Sequence, residues 1–288
     1  MVEKRKKNTK KKKSHPIIRF FLTIKFILTI PFFLINFFYK IFKKVDNQLD
    51  KELAKKKRES IESTYSKFET VEALSGKFDD WENKITKSDS TIGIILGARG
   101  SGKSAIAIKI FENLHEKSKQ KLYSIGFKKS TMPSWIESIE SIENIKNNSH
   151  ILIDEGGILF NSRDSMSSAN KLLSELMLIA RHKNLSILFI SQNSSNLEIN
   201  ILRQADYLIL KPSSLLQKSF ERKIIMNLYT KTEKSFAKYK KDKGIAYIHS
   251  DDFQGFISNK LPSFWSTGIS KGWSGSLLEK GSRESKLK

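Results

Sequence analysis

An apolar run, Thr91-Ile92-Gly93-Ile94-Ile95-Leu96, leads directly into Gly97-Ala98-Arg99-Gly100-Ser101-Gly102-Lys103-Ser104, and then into Ala105 to Lys117, where apolar residues recur at helical spacing. Strand, tight loop and helix in immediate succession call for a parallel sheet with right-handed crossovers, which confines the chain to the α/β class. The glycines allow backbone N–H groups to turn toward one point, and the helix that follows aims the positive end of its dipole at the same point. Gly-x4-Gly-Lys-Ser is a weak signal alone. Between a strand and a helix it reads as a loop that cradles phosphates, with Gly97 to Ala105 as its binding residues, Lys103 reaching the β and γ phosphates and Ser104 coordinating magnesium.

Further short apolar runs alternate with helix-forming segments: KLYSI (121–125), HILID (150–154), LSILFIS (185–191) and ADYLIL (205–210). Runs of this kind are buried on both faces of a sheet. They predict an α/β P-loop domain with a mostly parallel central sheet over residues 88–264.

The run from His150 to Asp154 ends in a second acid, Glu155, about 50 residues after the loop. An apolar strand ending in paired carboxylates fits a magnesium-holding aspartate, Asp154, followed by a glutamate that orients or deprotonates an attacking water. A glutamate in that place favours hydrolysis over signalling. No Asn-Lys-x-Asp guanine-reading motif is present, so ATP is expected rather than GTP. Ser191-Gln192 ends the next strand, and side chains at carboxyl ends of parallel strands project toward the ligand crevice, where Gln192 would meet the γ phosphate or the water.

Residues 154–211, including DEGGILFNSRDSM and LMLIARHKNLSILFISQNSSNLEINILRQADYLILK, resemble the zonular occludens toxin and filamentous-phage assembly ATPases, and more broadly the HerA/FtsK superfamily. The matching positions are Asp154, Glu155, Phe160, Arg163, Arg181, His182, Gln192 and Arg203. With the loop they cover about 120 residues. The resemblance implies a ring-forming homo-oligomer that hydrolyses ATP at subunit interfaces, with an arginine from a neighbour acting on the transferring phosphoryl group. Arg163, Arg181 and Arg203 are the candidates, and Arg99 a lesser one. It also implies work in virion assembly, export or genome packaging, on DNA or on an exported virion or coat protein.

Charge is unevenly spread. The chain carries a net +22, of which residues 1–58 hold +14 (18 Lys or Arg against 4 acids). Within that stretch Ile17 to Tyr39 is almost wholly apolar, 23 residues that as a helix reach about 35 Å, enough for a bilayer. Lys25 and Pro31 interrupt it, and lysine runs flank it on both sides. A membrane segment over 17–42 is therefore expected, either a single span or a hairpin bending near Pro31, after a basic cytoplasmic tail (1–16). The ATPase domain would lie on the cytoplasmic side. Family members carry such a segment after the ATPase domain, whereas here it comes first. Residues 43–87 read as a charged helical linker and 265–288 as a flexible basic tail.

With no cysteine and five scattered histidines, neither disulfides nor a structural metal is expected, only the magnesium that accompanies a nucleotide. Phe253, Phe256, Phe264 and Trp265 are candidates for a partner-docking or base-stacking surface, or for core. Two other functions stay open: a DNA-translocating or conjugation-type ATPase gripping the phosphate backbone, and a nucleotide-regulated membrane adaptor that does not hydrolyse.

Overall fold

The structure, a computed structural model, describes residues 16–269 apart from 89, 119, 140–141, 144, 156–164 and 267, and it describes the side chains of 16–35 and 165–173 only as backbone. The chain divides into two units, Met1–Ala54 and Lys55–Lys288.

The first unit consists, where described, of the greater part of helix α1 (Pro16–Glu59), which passes through Pro31 as an unbroken helix rather than a hairpin. Phe37, Phe38 and Phe42 on it are exposed. Among the described residues no helix is long and apolar enough to cross a membrane. The basic tail 1–15 lies outside the described residues, as do the side chains of the apolar run as far as residue 35.

In the second unit the expected strands are present: β2 (Ile92–Leu96), β3 (Lys121–Ile125), β5 (Ser149–Asp154), β6 (Leu185–Ile190) and β7 (Tyr207–Leu210), with short β4 (Ile136–Ser138) beside β3. These six pair in parallel. Three further strands, β1 (Glu69–Gly76), β8 (Ala246–Ser250) and β9 (Phe253–Ser258), add an antiparallel wing, giving the order β1-β9-β8-β7-β2-β6-β5-β3-β4. The sheet is thus mostly parallel.

Alternation along β2 explains why its run is apolar throughout. Ile95 joins the core on one face, with Ile106, Ile110 and Phe111 of α3 (Lys103–Lys117) and Phe78 and Trp81 of α2 (Phe78–Lys87). Ile94 and Leu96 join the core on the other. That second face is covered by α4 (Ser165–His182), α5 (Ile199–Gln204) and α7 (Lys223–Lys238), through Leu176, Ile201, Ile225 and Leu228. Helix α6 (Leu215–Phe220) precedes α7.

The linker expected over 43–87 ends much earlier. Glu112 on α3 is fully buried and accepts from Thr64 N at 3.2 Å, while Asn113 both accepts from Ser66 N at 3.1 Å and donates to Ser66 O at 2.9 Å. These bonds fix residues 61–68 along α3. Strand β1 then pairs with β9, and α2 buries Trp81 between Phe78 and Tyr207 at ring distances of 5.4 and 5.5 Å. A chain whose N–H and C=O groups pair with the sheet, and whose largest ring is 1% exposed, is domain and not tether. At the other end Trp265 packs against the core and Ile269 is buried, so the domain also runs past 264; residues 270–288 lie outside the described residues. Phe253 and Phe256 are core residues at 0% and 1% exposure, and Phe264 and Trp265 pack partly buried against the core, so they form no open stacking surface.

Candidate functional site

The register brings the predicted motifs to one edge. Strand β6 lies between β2 and β5, with Ile190 paired to both Ile95 and Asp154. The next residues, Gly97 after β2, Glu155 after β5 and Ser191-Gln192 after β6, therefore line the same carboxyl edge, the place where open α/β sheets bind ligands.

The loop holds a shape that side chains would obstruct. A Cβ on Gly97 would lie 2.6 Å from Lys211 Cβ and 2.9 Å from Ser101 Oγ, at a φ of +154°. Gly102, in the left-handed region at φ 95°, caps α3. The next strand braces the loop from beside: Lys211 N donates to Leu96 O at 2.8 Å and Ala98 N to Pro212 O at 3.0 Å. Arg99 and Gly100 are exposed at the tip, and Ala105 turns its methyl into the core, leaving its backbone N–H in the first turn of α3.

Lys103 folds back over the loop, its Nζ donating to Gly97 O at 2.7 Å and Ala98 O at 2.9 Å. Burial pushes its ammonium down to about 8, against the pull of Asp154. Glu155 is 7% exposed. Burial raises its carboxyl above the ordinary range and Asp154 adds to the rise, while the hydrogen-bonding side chains of Ser191 and Asn196 oppose it. The loop lysine, the two acids and the residues after β6 are thus in electrostatic contact.

These residues fit a magnesium nucleotide. Ser101 Oγ is buried with no hydrogen-bond partner among the described residues. The ammonium of Lys103 rests on carbonyls of the loop itself, and the N–H groups of the first turn of α3 have no partners within the helix. The Ser104 hydroxyl and the Asp154 carboxylate are hard oxygen donors of the kind magnesium takes.

The predicted arginines are not brought to this edge. Arg181 ends α4 just before β6, and Arg203 ends α5 just before β7, so both lie at the amino edge of the parallel strands, exposed. Within one chain neither reaches the phosphate loop, because a strand's length separates the two edges. Arg163 and Phe160 lie outside the described residues. Gln192 stands at the carboxyl edge, exposed, its carbonyl accepting from Gln217 Nε2.

One group at the site escaped the sequence reading. Lys211, at the end of β7, is 1% exposed, its stem against Gly97 and its Nζ donating to Lys243 O at 3.1 Å and Gly244 O at 3.0 Å. Burial holds its ammonium down to about 8, Asp242 opposing. The only sequence signal was a lysine closing an apolar strand where a turn residue is usual.

No protein-family model and no curated protein matches the sequence. Among solved structures, the chain is similar in fold to the genome packaging NTPase B204 of Sulfolobus turreted icosahedral virus 2 in complex with AMP, at 15% identity and TM-score 0.40, over 60% of this chain and 99% of that one. It is similar to the cytoplasmic domain of the type VII secretion ATPase EccC of Thermomonospora curvata, at 11% identity and TM-score 0.42, over 71% and 28%. It is similar also to the N-terminal domain of zonular occludens toxin from Neisseria meningitidis, at 16% identity and TM-score 0.28, over 42% and 76%. These likenesses are distant, and the roles of the residues rest on the geometry above.

Proposed function

We propose that this chain is an ATP-hydrolysing P-loop motor whose work is packaging or export. The convergence of Lys103, Asp154, Glu155 and Gln192 on one sheet edge supports it most directly. A binding module needs the loop alone, whereas this edge adds a buried carboxylate of raised affinity for protons and a polar side chain after the neighbouring strand. ATP would be held by Gly97 to Ala105 and magnesium by Ser104 and Asp154; bound magnesium neutralises phosphate charge and fixes the oxygens in place.

The residues of the chain then divide the work. The loop N–H groups, those of the first turn of α3 and the Lys103 ammonium bind phosphate oxygens; Lys103 must leave the carbonyls of Gly97 and Ala98 to do so, while Ser101 N–H stays with Ala98 O at 3.2 Å, closing the loop. Glu155 accepts a proton from the attacking water, a task that a carboxyl shifted toward neutrality performs better than an ordinary one. Gln192 orients that water. Arg181 and Arg203, exposed on the opposite edge, serve only another copy, which fits a head-to-tail ring of identical subunits. The 17–42 segment and its basic flanks would hold the ring on an anionic membrane surface, where each nearby lysine contributes ~1 kcal/mol. The moved substrate would be DNA or an exported virion protein.

Turnover of ATP by the full chain tests this. Glu155→Gln should retain nucleotide binding and lose hydrolysis by about a hundredfold or more. Equal turnover in the variant would overturn the motor, as would binding without turnover in the parent chain. Stimulation by duplex DNA that collapses as salt rises would single out DNA as the substrate. Flotation with anionic but not neutral vesicles tests the membrane assignment.

A further inference from the structure

The loop after β6 is held in place from behind by a cluster whose cost in buried charge exceeds what a turn requires. Ser194 in that loop is fully buried. Its N–H donates to Glu221 Oε2 at 2.8 Å and its hydroxyl donates to the same oxygen. The hydroxyl also accepts from Arg222 N at 3.1 Å. The guanidinium of Arg222 takes up two carbonyls of the same loop, Ser194 O at 3.1 Å and Leu197 O at 2.9 Å. Gln217 Nε2 joins the two ends of the cluster, donating to Gln192 O and to Glu221 Oε1 at 3.0 Å.

Two features separate this from routine loop closure. Glu221 is 7% exposed, and among the described residues the bonds on its carboxylate come from an N–H, a hydroxyl and an amide rather than from a cation. Burying an ion on neutral donors is costly, and charge-assisted bonds return the strongest hold on the donors. The loop so held also starts at the carboxyl edge, where Gln192 follows the strand paired to Asp154, and the Asn196 side chain within it opposes the rise in the Glu155 carboxyl.

We propose that Glu221, acting with Gln217 and Arg222 at the junction of α6 and α7, is a positioning residue for hydrolysis, fixing the 192–197 loop so that Gln192 and Asn196 stand correctly toward the γ phosphate site and Glu155. The inference rests on the hydrolytic reading of that edge. Glu221 touches no nucleotide and no reacting atom, and acts through the loop.

The full chain and single variants test it, with ATP affinity read by a fluorescent ATP analogue and turnover at saturating ATP. Glu221→Ala should lower kcat about tenfold or more while affinity stays within about twofold, because the phosphate loop is untouched. Glu221→Gln keeps an acceptor for Ser194 and should recover kcat to within about threefold of the parent. Adding Asn196→Ala to Glu221→Ala should cost no more than the worse single change, since both act through one loop. If Glu221→Ala does not fold, Gln217→Ala, which frees the Gln192 carbonyl from a partly exposed position, should show the same loss in kcat alone. Unchanged kcat in the folded variant overturns the proposal, and so does a parallel fall of kcat and affinity that Glu221→Gln does not rescue. Failure of the hydrolytic reading looks different: Glu155→Gln then turns over as the parent does, or the parent does not turn over at all.

Discussion

Lys103 and Lys211 are two buried ammonium groups on either side of one loop, and each is held down to about 8 by burial. For Lys103 this carries a pH dependence. The charged form binds phosphate, and a bound triphosphate raises the ammonium's affinity for its proton, so binding takes up a proton once the free group has lost it. Affinity for magnesium-ATP should be level below about pH 8 and weaken by about tenfold per pH unit above it. A titration of a fluorescent ATP analogue between pH 7 and 9.5 checks this, and Lys103→Met should bind weakly at every pH. Lys211 differs in being tied to Lys243 O and Gly244 O, with Gly97 against its stem. Lys211→Met preserves the stem and removes the charge. ATP affinity should fall about tenfold, ~1.4 kcal/mol, if the charge acts on the phosphates through a poorly solvated interior. Unchanged affinity would make Lys211 a peg between the loop and the 243–244 turn.

Among the elements, β1 and α2 depart most from what their sequence suggests. ETVEALSG and FDDWENKITK are short, charged and without a long apolar run, yet they complete the antiparallel wing and cover one face of the core. Trp81 carries much of that cover, packed between Phe78 and Tyr207. Trp81→Ala should destabilise the domain by ~3–5 kcal/mol, the range for deleting a large buried ring. Urea unfolding followed by far-UV circular dichroism checks it, and a loss within ~0.5 kcal/mol would return residues 78–87 to the status of a tether. Five strands of the parallel half were legible because each is a run buried on two faces, whereas β4, three residues of which only Ile136 is buried, left no such mark. The arginines ending α4 and α5 could be named from sequence, but not their edge, which depends on the direction in which each helix returns to the sheet.

For the molecule as a whole, acid should reach the core through His150. It is 3% exposed, its Nε2 has no hydrogen-bond partner among the described residues, and burial pushes it down to about 4. Between about pH 6.5 and 4 the unfolded chain binds a proton that the folded chain refuses, so this contribution to stability is full above pH 6.5 and is lost as pH falls through that window. The loss is ~3 kcal/mol. Comparing the melting temperatures of the parent and His150→Leu from pH 7 to 4 isolates it: the parent should fall more steeply, and parallel curves would show that His150 is accommodated when charged.

By itself the sequence determined the strand, loop and helix around Gly97 to Ser104, the acid-ended strand at Asp154 and Glu155, and the alternation of five parallel strands with helices along the chain. Those features are local: periodicity, glycine placement and strand-end chemistry act over a few residues and leave their mark there. Only the tertiary structure decided that β6 comes between β2 and β5, setting Gln192 beside Glu155, that Lys211 lies under the phosphate loop, that Glu221 and Arg222 clamp Ser194, and that residues 61–87 are domain. Each of these joins groups far apart in the chain, and the physical reason each holds, a buried polar atom finding a partner or a ring finding a cavity, exists only once the sheet has brought them together.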